Sequence, residues 1–536
     1  MTEMRSGPPR GSGWAFGFST HRYRVVVLTS YRARLLINMK RVVIIGGGIS
    51  GLAAAHRLLE RKLESTEKID LTLLESSDRL GGIVQTHQRD GFLLETGPDS
   101  FISEKPAALD LARRLGLASR IIETNEEHRR SFIVRQGKLL PVPEGFHLLA
   151  PSRFWPFVKS DIFSWSGKAR MALELFLPGR TVNGNADESL ADFVRRRLGR
   201  EALDRMAQPM VGGIYTADPE HLSLRATMPR FLEMERKHGS VIRALRRSGS
   251  SPTGGEGSGT SGARYSLFLS FDRGMQVLTD TLVERISNFR SQISDHPSQG
   301  VGKAHNGANV IRLNTRVESL SLDPAAHDSA IWKVKTNQNE TLIADLVCLA
   351  LPAYVSARLL ENVDPQLVSE LDGISYASSA TINLAYKRDD IPHPLDGFGF
   401  VVPFIESRSI MACTFSSVKF AARAPAGHVL LRAFVGGALQ PELLKLTDNE
   451  LLLRVQKDLH DLLGIQQAPL FTEISRWEKA MPQYHLGHME RVQRIDQRVA
   501  ALPGLVLAGN AYTGLGIPDC IRSGEAAADQ INFGVR

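Results

Sequence analysis

The residues best placed to do chemistry begin with a glycine turn. Gly46-Gly47-Gly48-Ile49-Ser50-Gly51 reads G-x-G-x-x-G. It follows Val42-Val43-Ile44-Ile45, a continuous β-branched run of the kind that forms a strand buried on both faces. It precedes Leu52, Ala55, Leu58 and Leu59 at helical core spacing. The three glycines have separate tasks: Gly46 makes the tight turn, Gly48 lets the backbone approach a pyrophosphate, and Gly51 lets the helix lie close to the strand. The unpaired N–H groups at the helix start, around Ile49 and Ser50, then face the phosphates.

Alone, such a turn is a weak signal. Here a second strand pattern, Leu71-Thr72-Leu73-Leu74, ends at Glu75, 24 residues beyond Gly51. A carboxylate there can accept hydrogen bonds from a ribose 2′-hydroxyl. It also disfavours NADP, whose 2′-phosphate would meet a like charge. FAD and NAD share this fingerprint, and these residues do not separate them. Ser76-Ser77-Asp78-Arg79-Leu80-Gly81-Gly82 follows directly. Near the other end of the chain, Leu505–Asn510 reads as a strand ending in a close-approach glycine, Gly509. Gly514-Leu515-Gly516-Ile517-Pro518-Asp519 then leads into a helix through Ala528. Pro518 suits the first helical turn, and the positive end of that helix can stabilise negative charge on a group held in front of it.

The Ser76–Gly82 segment resembles the second dinucleotide motif of the flavin amine oxidase superfamily, in which an arginine and a glycine pair border the FAD phosphates. The C-terminal stretch GNAYTGLGIPDCIRSGEAAA resembles the terminal signature of the oxygen-dependent porphyrinogen oxidases, the protoporphyrinogen and coproporphyrinogen oxidases of haem synthesis. Five further segments resemble that family in order: Leu94–Phe101; Pro209–Pro229; Gly397–Phe400 with Phe415-Ser416-Ser417; Arg423-Ala424-Pro425; and Trp477–His488. The likeness runs from Lys40 to the C-terminus. It departs at Arg273, where a glycine pair is common, and at Thr216-Ala217, where Ala-Gly is common.

The resemblance implies FAD as cofactor, held by Gly46, Gly48, Ile49, Ser50, Gly51, Glu75, Arg79, Gly81, Gly82, Gly97, Pro98, Val317, Trp477, Gly509, Gly516 and Ile517. It implies a six-electron oxidation of a porphyrinogen to a porphyrin, with molecular oxygen reduced to hydrogen peroxide. Such a substrate needs an apolar slot facing the flavin and a few cations at its rim. Lys105, after the GPDSF segment, is the candidate propionate partner. That segment is closer to the Gram-positive-type enzymes that take coproporphyrinogen III than to those taking protoporphyrinogen IX. No catalytic acid or base stands out, and no metal site is expected. Two other readings remain. One is an amine oxidase or carotenoid desaturase-like enzyme, in which Cys520 is a poor match for a covalent flavin tether. The other is a non-catalytic flavoprotein.

These residues need a scaffold that gathers distant parts of the chain. At 536 residues, 43% hydrophobic and 23% charged, the chain has ample core-forming capacity and an ordinary globular composition. No apolar run is long enough to span a membrane. The net charge of +8 is no sign of a nucleic-acid-binding body: the first 38 residues hold six arginines against one acid, which accounts for +5 of it. That stretch reads as an upstream extension, a targeting peptide or a disordered arm. Cys348, Cys413 and Cys520 have no metal or disulfide spacing, and a reducing cytoplasm is expected.

The expected fold is α/β with α+β insertions: a Rossmann-like FAD-binding domain, an inserted helical domain and a mixed-sheet substrate domain. Strand-like runs at Arg41–Ile45, Asp70–Leu74, Ala344–Leu349 and Gly504–Ala508 make the FAD-binding domain discontinuous, over 39–88, 265–352 and 490–536. Residues 106–247 read as the helical, membrane-facing domain, 248–263 as a flexible Gly/Ser linker, and 89–105 with 353–489 as the substrate domain. A polar insertion spans 296–309. The run Arg195-Arg196-Arg197 reads as a solvated helix face. Phe154, Trp155, Phe157, Phe163 and Trp165 read first as core or pocket packing. The alternative is a peripheral contact with the inner face of the cytoplasmic membrane. A neighbouring haem-pathway enzyme is a further expected partner.

Overall fold

The β-branched runs meet in one parallel sheet. The computed structural model describes residues 39–64, 68–179, 187–248, 268–288, 310–323 and 331–531. The N-terminal extension, almost all of the Gly/Ser linker and the 296–309 insertion lie outside the described residues. Five strands stand in the order Ile311–Arg312, Lys68–Leu74, Met39–Ile45, Leu346–Leu349, Leu505–Leu507, and every neighbouring pair is parallel. Being parallel, the sheet needs cover on both faces. Helices Ile49–Glu64, Ala107–Arg114, Gln276–Asn288 and Ile517–Gln530 supply one layer. Helices Ala353–Leu359, Pro365–Asp372 and His488–Ala500 pack with the other.

The Ala344–Leu349 run is two strands rather than one. Thr341–Ala344 closes a separate antiparallel sheet with Val317–Asp323 and Ile331–Thr336. Leu346–Leu349 joins the parallel sheet. Asp345 stands at the break, its carboxylate 2.7 Å from Arg41.

A seven-stranded sheet forms the second body, in the order Phe471–Pro482, Tyr376–Lys387, His428–Gly436, Ile410–Phe415, Gly399–Val401, Phe132–Arg135, Lys138–Pro141. All pairs are antiparallel except Gly399–Val401 with Phe132–Arg135, so the sheet is mixed. Helix Asp448–Leu463 buries Leu451, Val455 and Leu459 in this sheet's core, and Thr447 with Glu450 forms a capping box at its start.

The third body is a helical layer with its own core, which includes Phe157, Phe163, Phe193, Val211, Phe231 and Tyr484. Here three expectations are corrected. Two strands of the seven-stranded sheet fall inside the segment read as helical, and helix Ala107–Arg114 packs on the core of the parallel sheet. Apolar spacing registers that a face is buried, not which core buries it. The arginine run is no uniformly solvated face: Arg197 is fully buried, its Nε 3.0 Å from Glu174. Arg196 is bonded to Glu188 and Glu235. The aromatic stretch divides, with Phe157 and Phe163 in the core and Phe154, Trp155 and Trp165 exposed.

Candidate active site

The glycine turn is built by close backbone approaches. Gly46 has a φ of +109°, and a Cβ there would lie 2.4 Å from the Ala350 carbonyl oxygen. A Cβ on Gly51 would lie 1.9 Å from the Gly46 carbonyl oxygen. A Cβ on Gly48, by contrast, would meet nothing within 4 Å. The turn is thus closed behind Gly46 and Gly51 and open in front of Gly48. Ile49 and Ser50 are buried at the start of their helix.

Around that opening the other predicted residues assemble. Glu75, at the end of its strand, accepts from the Gly47 N–H at 2.7 Å and from the Ser77 N–H at 2.8 Å. Its Oε2 retains a lone pair for a further donor, while Oε1 also faces the Ser77 hydroxyl at 2.9 Å. Gly81 forms a β-bridge with Gly48 and donates its N–H to the Gly47 carbonyl at 2.9 Å. The Arg79 guanidinium folds back onto the carbonyls of Leu80 and Gly82. The chain at 312–315 runs beside Glu75: Thr315 donates its N–H to the Glu75 carbonyl at 2.8 Å. Val317, two residues on, is buried in the core on that side.

The Glu95–Asp99 segment is fastened onto the seven-stranded sheet carbonyl by carbonyl. Asn383 donates to the Glu95 carbonyl at 3.1 Å. Thr381 and Trp477 both donate to the Thr96 carbonyl, at 2.7 and 2.9 Å, and Arg432 donates to that of Gly97. Gly97 has no alternative residue, because a Cβ would lie 1.7 Å from the Ile83 carbonyl oxygen. This contact presses Gly97-Pro98 against the turn that follows Gly81-Gly82.

Beneath lies a buried charge cluster that pattern reading missed. Lys419 is 2.9 Å from Asp99, and Arg423 donates to Ser270 Oγ and the Phe271 carbonyl, each at 3.0 Å. Burial alone would raise the Asp99 carboxyl, but Lys419 and Arg432 hold it well below the usual carboxylate range. Glu95 goes the other way. Burial pushes it up to about 7, although the Met275 N–H and the Thr86 hydroxyl both donate to it. The available signal was an arginine in the middle of the apolar strand Val429–Val435.

The C-terminal motif arrives from the opposite side. Gly509, with φ +132°, donates its N–H to Ser523 Oγ at 3.0 Å. Gly516 and Ile517 begin helix Ile517–Gln530, which lies close to helix Ile49–Glu64 because a Cβ on Gly524 would be 2.1 Å from the Ser50 carbonyl oxygen. Lys105 also arrives here: its ammonium is 2.5 Å from Asp519 Oδ2. Asp519 in turn accepts from the Gly516 N–H at 3.3 Å. The Gln208–Tyr215 helix ends beside the same place, with Leu515 packed on the helical core and Ile214 half exposed. Segments centred on residues 48, 79, 97, 105, 214, 477 and 516 therefore border one region.

The sequence profile of the flavin containing amine oxidoreductases matches residues 49–532. The chain belongs to this family. It is an FAD-dependent oxidoreductase, and the open face in front of Gly48, with the Glu75 carboxylate bonded to the neighbouring Gly47 N–H, fits a dinucleotide. Among relatives, coproporphyrinogen III oxidase of Propionibacterium freudenreichii is 36% identical, the match covering 91% of this chain and 90% of that protein. Coproporphyrinogen III oxidase of Bacillus subtilis is 33% identical over 91% of this chain and 97% of its own. A crystal structure from Exiguobacterium sp. 255-15, 32% identical, superposes with a TM-score of 0.76 over 92% of this chain and 98% of that one.

Proposed function

We propose that this chain is an oxygen-dependent porphyrinogen oxidase of haem synthesis and that its substrate is coproporphyrinogen III, with protoporphyrinogen IX as the competing candidate. One observation carries the reading: relatives bearing the coproporphyrinogen III oxidase name match this chain over nearly their whole length.

The bound flavin supplies the two-electron redox chemistry that no side chain here can perform. The protein's part is binding and orientation. Gly46, Gly48, Gly51, Gly81 and Gly82 shape the phosphate cradle, Glu75 takes the ribose, and Gly97, Pro98, Val317, Trp477, Gly509, Gly516 and Ile517 complete the cofactor envelope. The macrocycle lies against the Gly212–Tyr215 end of its helix, where Ile214 offers an apolar surface. Lys105, half exposed and paired with Asp519, keeps donors free for a propionate.

Anaerobically prepared coproporphyrinogen III and protoporphyrinogen IX, offered separately to the FAD-loaded protein in air, test this. Porphyrin fluorescence should rise together with about three peroxides per porphyrin, because six electrons leave in pairs. The larger kcat/KM names the substrate. Bound flavin without porphyrin formation above an enzyme-free control would overturn the reading, and amines would then be the next substrates to try.

Among the described residues no helix is long and apolar enough to cross a membrane. The protein nevertheless exposes Phe154, Trp155, Trp165, Leu173 and Phe176, the last at 81%. Arg153 and Lys159 are exposed next to Phe154 and Trp155 and put basic groups on this face. This aromatic and basic patch is suited to peripheral contact with an anionic lipid surface, on the inner face of the cytoplasmic membrane. A neighbouring haem-pathway enzyme would compete for the same face. Anionic vesicles should blue-shift the tryptophan emission and sediment the protein, and Trp155→Ala with Trp165→Ala should abolish both effects. Equal sedimentation of the double variant would remove the patch from consideration.

A further inference from the structure

Tyr484 stands where three parts of the molecule meet. Its ring belongs to the core of the helical layer and is 2% exposed. Its backbone carbonyl accepts the Ser223 N–H at 2.8 Å, and the next residue, His485, bridges to Leu222. Its hydroxyl lies on the C-terminal motif instead. There it donates to the Asn510 carbonyl at 2.6 Å and accepts from the Gly514 N–H at 2.8 Å. One oxygen thus closes both ends of the loop that carries Gly509 to Gly516.

Between those ends Ala511 and Tyr512 are buried, and Arg522 donates to the Thr513 carbonyl at 2.7 Å. Gly514 takes φ +118°, and the segment lies between strand Leu505–Leu507 and helix Ile517–Gln530, outside both. A second fastening comes through His488. Its ring stacks on Tyr484, with centroids 3.9 Å apart and planes 12° apart, and its Nε2 donates to the Tyr512 carbonyl at 2.9 Å. Burial lowers the His488 imidazole pKa and raises that of the Tyr484 phenol. Both rings are therefore neutral, and each has a fixed donor.

We propose that Tyr484, braced by His488, is a positioning residue. It sets the 509–516 loop, and with it the flavin-facing backbone, relative to the helical wall that holds the substrate. The inference rests on the placement of the flavin against Gly509–Ile517 proposed above. Because Tyr484 belongs to the helical core and reaches the loop through its hydroxyl, removing that oxygen releases the loop at Asn510 and Gly514 while leaving the packing, Leu515 on the helical core included, in place. Phenylalanine fills the same volume, so Tyr484→Phe deletes two hydrogen bonds and nothing else.

The test measures the flavin itself. In Tyr484→Phe, FAD affinity should fall about tenfold, the resolution of the visible flavin bands should change, and the midpoint potential should move. KM for the porphyrinogen should change less than kcat, since Lys105 is held by Asp519 on helix Ile517–Gln530, which does not depend on the Tyr484 hydroxyl. His488→Gln, whose amide can still donate to the Tyr512 carbonyl, should recover most of the affinity lost in His488→Ala. Hydrogen exchange on the wild-type holoenzyme gives a readout independent of any variant: the Gly514 amide should be protected although it lies outside helix and strand. Fast exchange at Gly514, or a Tyr484→Phe protein with wild-type FAD affinity, spectrum and potential, overturns the proposal. Failure of the porphyrinogen reading would look different, because these flavin readouts would change while neither porphyrinogen was oxidised.

Discussion

Glu95 lies near two arginines, yet burial pushes its carboxyl up to about 7, well above the 4.5 of a solvated glutamate. A carboxyl that binds its proton more tightly in the folded state adds stability that is fully present below pH 4.5. That stability is lost as pH rises through about 7. The shift corresponds to roughly 3 kcal/mol. In urea titrations the wild-type protein should therefore weaken between pH 4.5 and about 7 and level off above it. Glu95→Gln, which keeps a carbonyl for the Met275 N–H or the Thr86 hydroxyl, should show a flatter profile over the same range. Parallel profiles for the two proteins would place the titration elsewhere. Because Glu95 begins the segment that presents Gly97-Pro98, its ionisation also bears on the cofactor envelope: flavin affinity should share the same pH window.

At the level of elements, the helical layer is organised by a buried ion pair rather than by apolar spacing alone. Glu174 and Arg197 are both fully buried, and Glu174 also accepts from the Val241 N–H at 2.8 Å. Arg197→Met leaves that carboxylate without its cation and should cost about 3–5 kcal/mol, whereas Glu174→Gln combined with Arg197→Met should recover much of the loss. Denaturant midpoints decide this; a double variant no more stable than Arg197→Met would show that the pairing is not the cause.

Arg197 also marks what the sequence could not reveal. The Val42–Ile45 strand, the glycine turn and the helix after it were legible because each depends on neighbours within a few residues, and the same holds for Glu75 and the 514–519 turn. Arg195 and Arg197 differ in burial although they are two residues apart in one arginine run, because the difference arises from Glu174 and Glu235, which lie far away in the chain. Likewise Trp155 and Phe157 share one short helix but face solvent and core respectively. The Asp99–Lys419–Arg432 cluster joins residues more than 300 positions apart, and no local pattern signals such a junction.

For the molecule as a whole, the discontinuity of the parallel sheet has a thermodynamic consequence. Its strands come from residues 39–45, 68–74, 311–312, 346–349 and 505–507, so the second sheet and the helical layer are inserted between its parts. The proposed cofactor envelope is equally dispersed, from Gly46 to Ile517. A ligand gripped by segments so far apart in the chain stabilises the assembled state and not any single body. At a hundredfold excess over Kd, FAD should add about 2.7 kcal/mol to global stability. Calorimetry should show this as one transition moving upward with FAD concentration, with Tyr484→Phe requiring about tenfold more FAD for the same displacement. Two transitions, of which only the first responds to FAD, would mean that the parallel-sheet body melts alone and that the hydroxyl of Tyr484 does not couple it to the helical layer.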